Sequence, residues 1–179
     1  MKKLLLFALT ICLMISCLAS CVPFGDSEET TEEPTEKTFT YGSFSITLPK
    51  DFSEVSPLSG SSLYLTSPDY TVQIYRVSFS SITPNEGYSF PTLEEFFGSG
   101  MFRDIEKDDI KKEDGLNIVD ADSEGNDDLP DVCYILMESE NAFWQIKVSS
   151  ESQPYETVKS NAITWAKTVT FSAAETVAE

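Results

Sequence analysis

Residues 131–168 read DVCYILMESENAFWQIKVSSESQPYETVKSNAITWAKT, and three hydrophobic periods follow one another within them. Across 131–138 both parities are apolar, with Val132, Tyr134 and Leu136 on one and Cys133, Ile135 and Met137 on the other. A strand of that kind belongs inside a sheet that is covered on both faces. Across 142–149, Trp144, Ile146 and Val148 alternate with Gln145, Lys147 and Ser149, with Phe143 as the exception, which predicts a strand with one face in the core. From 154 to 168 the period becomes helical: Tyr155, Val158, Ala162, Trp165 and then Val169 recur at steps of three and four, and Pro154 suits a first turn. A doubly covered strand, a neighbour and an amphipathic helix predict an α+β domain.

Working upstream, residues 116–120 make a second strand facing 131–138 across a polar, glycine-containing loop. A helix is expected over 92–103, because Thr92 and Glu95 have capping-box spacing and Leu93, Phe96 and Phe97 make an apolar face. Gly98 and Gly100 weaken its second half, so an early end is expected. Residues 62–66 and 70–79 form a hairpin around Ser67-Pro68-Asp69. Residues 39–48 read as one strand whose apolar parity switches at Gly42-Ser43, the pattern of a bulge. A short end strand follows the last helix. The whole is α+β, a single domain with an antiparallel β-sheet flanked by helices.

The opening strand Phe44-Ser-Ile-Thr-Leu-Pro-Lys-Asp-Phe52, the strand carrying Phe143-Trp144, and the last helix running into Thr168-Val-Thr-Phe171 together resemble the PsbP-like fold. That α/β/α sandwich is shared by photosystem accessory subunits, the Mog family of Ran-binding proteins and many bacterial lipoproteins. The resemblance covers most of residues 38–172. It implies a role in binding or assembly and carries over no catalytic residues.

The flanks suggest an address. Residues 1–20 have a basic start at Lys2 and Lys3 and then an apolar run too short for a comfortable membrane span, as in a secretory signal. The run closes on Leu18-Ala19-Ser20-Cys21, which resembles the lipobox of bacterial lipoproteins and makes Cys21 the lipid-attachment residue. Residues 21–37 then form an acidic, disordered tether behind the lipidated cysteine, 38–172 the globular domain, and 173–179 a flexible tail. Cys12 and Cys17 leave with the signal, so Cys133 is the one thiol left and no intrachain disulfide is possible. The expected location is the extracytoplasmic face of the bacterial cell membrane, reached through the lipid anchor.

Composition narrows the chemistry. The 179 residues hold no histidine, which excludes Ser-His-Asp and Cys-His nucleophile pairs and His-ligated metals. A formal charge of −18 repels nucleic acid. Twelve acids against three lysines lie within 104–131, a solvated acidic face or a docking patch for a basic partner. Inside it, the loop 120–131 resembles an EF-hand: Asp120, Asp122, Glu124, Asp128 and Asp131 fall on ligand positions and Gly125 on the bend, so calcium is the candidate cation. Asp131 where the motif has a bidentate Glu, Asp127 at an apolar position, and flanking strands depart from it. A hairpin loop rich in turn formers is the alternative.

Glu94 with Glu95, Asp108 with Asp109, and Glu138 with Glu140 are the carboxylate pairs a His-independent hydrolase of envelope sugars would use. Cys133, among apolar neighbours, reads as a buried structural thiol. Trp144 and Trp165 sit on core parity, whereas Tyr64 and Tyr75 are not assigned to the core. In the loop 80–91, Tyr88 and Phe90 are candidate contact residues for a partner. The leading expectation is a non-enzymatic, lipid-anchored domain without cofactor that binds or scaffolds an envelope protein or ligand. A calcium-responsive module is the second reading.

Overall fold

The computed structural model describes residues 34–58, 60–82, 91–99, 105–121 and 130–172. The described chain opens with a hairpin of β1 (Glu36–Tyr41) and β2 (Phe44–Pro49). Tyr41 pairs with Phe44, leaving only Gly42 and Ser43 in the turn. Gly42 has φ +57, the left-handed first turn position that glycine fills without a Cβ clash. The single bulged strand expected over 39–48 is therefore corrected to two strands. A two-residue reversal shifts the parity by one and sets Phe39 opposite Ile46. β1 also takes in Glu36 and Lys37, the last two residues of the expected tether.

There follow β3 (Ser53–Glu54), β4 (Leu63–Thr66), β5 (Thr71–Ser78), α1 (Leu93–Phe97), β6 (Lys111–Glu113), β7 (Leu116–Ala121), β8 (Asp131–Ser139), β9 (Ala142–Ser150), α2 (Tyr155–Ala166) and β10 (Thr170–Phe171). β3 and β6 have two and three residues, too few to show a period, and were not expected. A seven-stranded sheet has the order β3-β4-β5-β9-β8-β7-β6, and β2 lies between β1 and β10 in a three-stranded one. Pairings in both sheets are antiparallel among the described residues.

The large sheet has an inner and an outer face. Inward go Val72, Ile74, Cys133, Ile135, Trp144, Ile146 and Val148, against α2 and the small sheet. α2 contributes Val158, Ala162, Trp165 and Ala166, the spacing expected of it. Phe44 stacks on Trp144 at 4.9 Å between centroids, and Phe52 and Tyr70 meet Trp165 edge-on at 5.2 and 5.1 Å. The small sheet is sewn to the end of α2 by one hydroxyl: Thr168 Oγ1 accepts from the Thr47 amide at 2.9 Å. Outward go Val132, Tyr134, Leu136 and Phe143, which pack under α1. Phe96 stacks on Phe143 at 4.8 Å. Each fully buried ring contributes roughly 2–3 kcal/mol. β8 is thus buried on both faces, as its double apolar parity predicts.

α1 has the expected capping box between Thr92 and Glu95 but stops at Phe97, well short of 103. At Gly98 the chain 105–109 returns: Ser99 bridges Glu106, and a Cβ on Gly98 would lie 2.7 Å from Lys107 Cβ and 2.8 Å from the Glu94 carbonyl. Another helical turn has no room there. Among the described residues no helix is long and apolar enough to cross a membrane.

Candidate functional site

α1 covers the outer face only over β7 and β8. Beside it, β4, β5 and β9 present a different surface. Register places Tyr64, Gln73, Lys147 and Tyr134 in one cross-strand row and Tyr75, Gln145 and Leu136 in the next. Thr66, Thr71 and Ser149 make a third. Directly opposed residues share a face and lie about 5 Å apart. The inward parity of the same strands (Leu63, Leu65, Val72, Ile74, Ile146, Val148) is sealed, at no more than 1% exposed. The outward parity is half-buried at Tyr64, Gln73, Tyr75 and Lys147 and buried at Gln145 and at Phe143, the latter under α1.

The Tyr75 hydroxyl donates to Gln73 Oε1 at 2.7 Å, and Lys147 Nζ stands 5.8 Å from the Tyr134 ring centre. Burial, with the Tyr64 phenol nearby, pushes the Tyr75 pKa above its ordinary value, so the hydroxyl keeps its proton. No carboxylate occupies these β4, β5 and β9 positions, although the chain has 30 Asp and Glu. The face is therefore aromatic and amide-rich, with one ammonium. It suits a polar, uncharged ligand surface and offers no pair of groups for proton transfer. Tyr64 and Tyr75 belong to it, while Trp144 and Trp165 are in the core. Gln73, Gln145 and Lys147 were missed. Their signal was the polar parity of strands whose other parity is wholly apolar.

The acids are drawn into a different structure. Asp120, on the inward parity of β7, accepts from the Tyr155 hydroxyl of α2 and pairs with Lys111 at 3.2 Å and Lys159 at 3.3 Å. Lys159 also pairs with Glu113 at 2.8 Å. Burial alone would raise the Asp120 pKa, but the hydrogen bonds from Tyr155, Lys111 and Lys159 outweigh it and hold the carboxyl below its usual range. Lys159 is raised, first by its bond to Glu113. A calcium ion using Asp120 would have to displace these partners. Asp131 begins β8 across the hairpin, whereas Asp122, Glu124 and Asp128 lie outside the described residues, as do Cys21, Tyr88 and Phe90. Among the described residues no three Asp, Glu, Cys or His side chains converge to hold a metal.

Of the carboxylate pairs, Glu94 meets Lys112 at 3.4 Å and Glu95 closes the α1 cap with both its backbone and side chain. Asp109 accepts from the Glu106 amide at 3.1 Å. Cys133 is fully buried, and desolvation, with Asp120 adding to it, pushes its thiol up to about 12. It is no nucleophile in this environment.

Neither a protein-family model nor a curated protein matches the sequence. Solved structures do resemble it. Cyanobacterial PsbP (CyanoP) from Synechocystis sp., a solution structure, shares 11% identity with a TM-score of 0.50 over 80% of this chain and 96% of its own. A crystal structure from Bacteroides thetaiotaomicron shares 12% identity, also with a TM-score of 0.50, over 78% of this chain and 50% of its own. The fold is PsbP-like; at such identities the likeness extends to the fold alone.

Proposed function

We propose that this is a non-enzymatic binding domain of the bacterial envelope, lipid-anchored at Cys21 on the extracytoplasmic side, that engages an envelope component through the outer face of β4, β5 and β9. One observation carries the reading: a half-buried surface on β4, β5 and β9 that bears tyrosines, amides and one lysine and no acid, in a chain of charge −18. Proteins place functional contacts where polar side chains are held on a rigid element and not spent on the fold.

The test is photo-crosslinking in living cells, with a photoreactive residue at Tyr64 or, as control, at the exposed Thr164 on α2. Adducts from 64 that are absent from 164 are the expected result, and Cys21→Ala moves the protein out of the membrane pellet. Equal adducts from both positions would discard the face. Retention of the Cys21→Ala protein in the pellet would discard the anchor.

A further inference from the structure

The chemistry of the outer face selects among ligand classes. A basic partner needs carboxylates, and β4, β5 and β9 bring none to this face; the outward Glu138 stands on β8 one row beyond Leu136, and twelve of the acids lie within 104–131. A polyanion needs several cations to overcome a charge of −18, and Lys147 is alone here, its ammonium over Tyr134. An apolar protein surface would seek aliphatic groups, but the outward side chains that β4, β5 and β9 bring to these rows are Tyr, Gln, Thr, Ser and Lys, and among the described residues the exposed aliphatics Val55 and Leu58 lie off these strands. What remains is neutral and hydroxyl-bearing.

Resting on the reading of this face as the contact surface, we propose that it binds a neutral saccharide. A pyranose has an apolar C–H face and a rim of hydroxyls. Tyr64 and Tyr75 supply rings for the first and phenolic groups for the second. The half-buried Gln73 amide presents its N–H donors to a ligand hydroxyl while its Oε1 accepts from Tyr75; Gln145 is buried and offers no open surface of its own. The Tyr75–Gln73 hydrogen bond of 2.7 Å fixes one ring and one amide before any ligand arrives, which lowers the ordering cost of binding. Alternate positions on neighbouring strands bring these groups to one open face, so it would take the side of a glycan chain.

The test is affinity electrophoresis of the full-length protein, purified in detergent, through native gels containing soluble starch, laminarin, galactomannan, xylan or polygalacturonate. Retardation by at least one neutral polysaccharide is expected, weakened about tenfold (~1.4 kcal/mol) by Tyr75→Ala and by Gln73→Ala and unchanged by Thr164→Ala. Circular-dichroism melts check that each variant is folded. If Tyr75→Ala is not, the half-buried Gln73 position decides. Migration unaffected by every neutral polysaccharide, retardation surviving both substitutions, or retardation by polygalacturonate alone would each overturn the proposal. If Tyr64 crosslinks selectively in cells while no neutral polysaccharide binds, the saccharide falls and the contact face stands; if neither occurs, both fall.

Discussion

Asp120 shows how one side chain serves several elements. It stands on β7, takes a phenol and an ammonium from α2, and a second ammonium from β6. Hydrogen bonds to a charged acceptor are worth about 1.5–3 kcal/mol in favourable cases, less when partly solvated. Its side chain is 20% exposed, so Asp120→Asn is expected to lower stability by about 1–2 kcal/mol at pH 7 in urea unfolding. The sign with pH follows from the depressed pKa. The contribution is complete above the unfolded carboxyl value of about 3.9 and is lost as pH falls through the lower folded value. The gap between native and Asp120→Asn should therefore close on acidification. A gap that is constant from pH 7 to pH 3 would show that the carboxylate charge is irrelevant. None of this was legible in the sequence, where Asp120 looks like the first residue of an acidic loop. Tyr155 and Lys159 approach it from 35 and 39 residues away, and no local pattern encodes that meeting.

Elements were easier to read where a period ran for several residues. β8, β9 and α2 follow from apolar spacing alone, and the α1 start from Thr92 and Glu95. Turns were harder. Phe39 and Tyr41 against Phe44, Ile46 and Leu48 show a parity break that a bulge and a two-residue hairpin both produce, and the antiparallel pairing of Tyr41 with Phe44 decides between them. The end of α1 is set by contact at a distance. Gly98 is a helix terminator by composition, yet its stronger constraint is Lys107, whose Cα and Cβ occupy the space a side chain would need. Gly98→Ala is expected to destabilise by about 1–3 kcal/mol, the usual cost of overpacking. The backbone there has no left-handed φ to strain, so the whole loss comes from the clash. A thermal melt within error of native would mean that the 105–109 segment yields freely.

For the whole molecule, charge sets two effects against each other. Ion pairs fasten the β6–β7 edge to both helices: Lys159 to Glu113, Lys167 to Asp114 at 2.8 Å, Lys112 to Glu94 at 3.4 Å. Against them stands the mutual repulsion behind a formal charge of −18, concentrated where twelve acids share 28 residues. Salt weakens both, but not equally. Partners about 3 Å apart lie well inside the Debye length even at 0.15 M, roughly 8 Å, whereas repulsions over 10–30 Å are felt at 0.01 M and largely screened at 0.15 M. Exposed pairs of this kind contribute little in any case. Salt therefore relieves more repulsion than it costs in attraction. The melting temperature at pH 7 should rise by a few degrees between 0.01 and 0.15 M sodium chloride, and sodium sulfate at equal ionic strength should add the further gain of an excluded salt. A fall would mean that the edge pairs dominate. The outer face of β4, β5 and β9 holds no carboxylate, so contact there with a neutral ligand should be nearly independent of salt over the same range. That separates uncharged recognition from any attraction to the acidic segment, which salt would abolish.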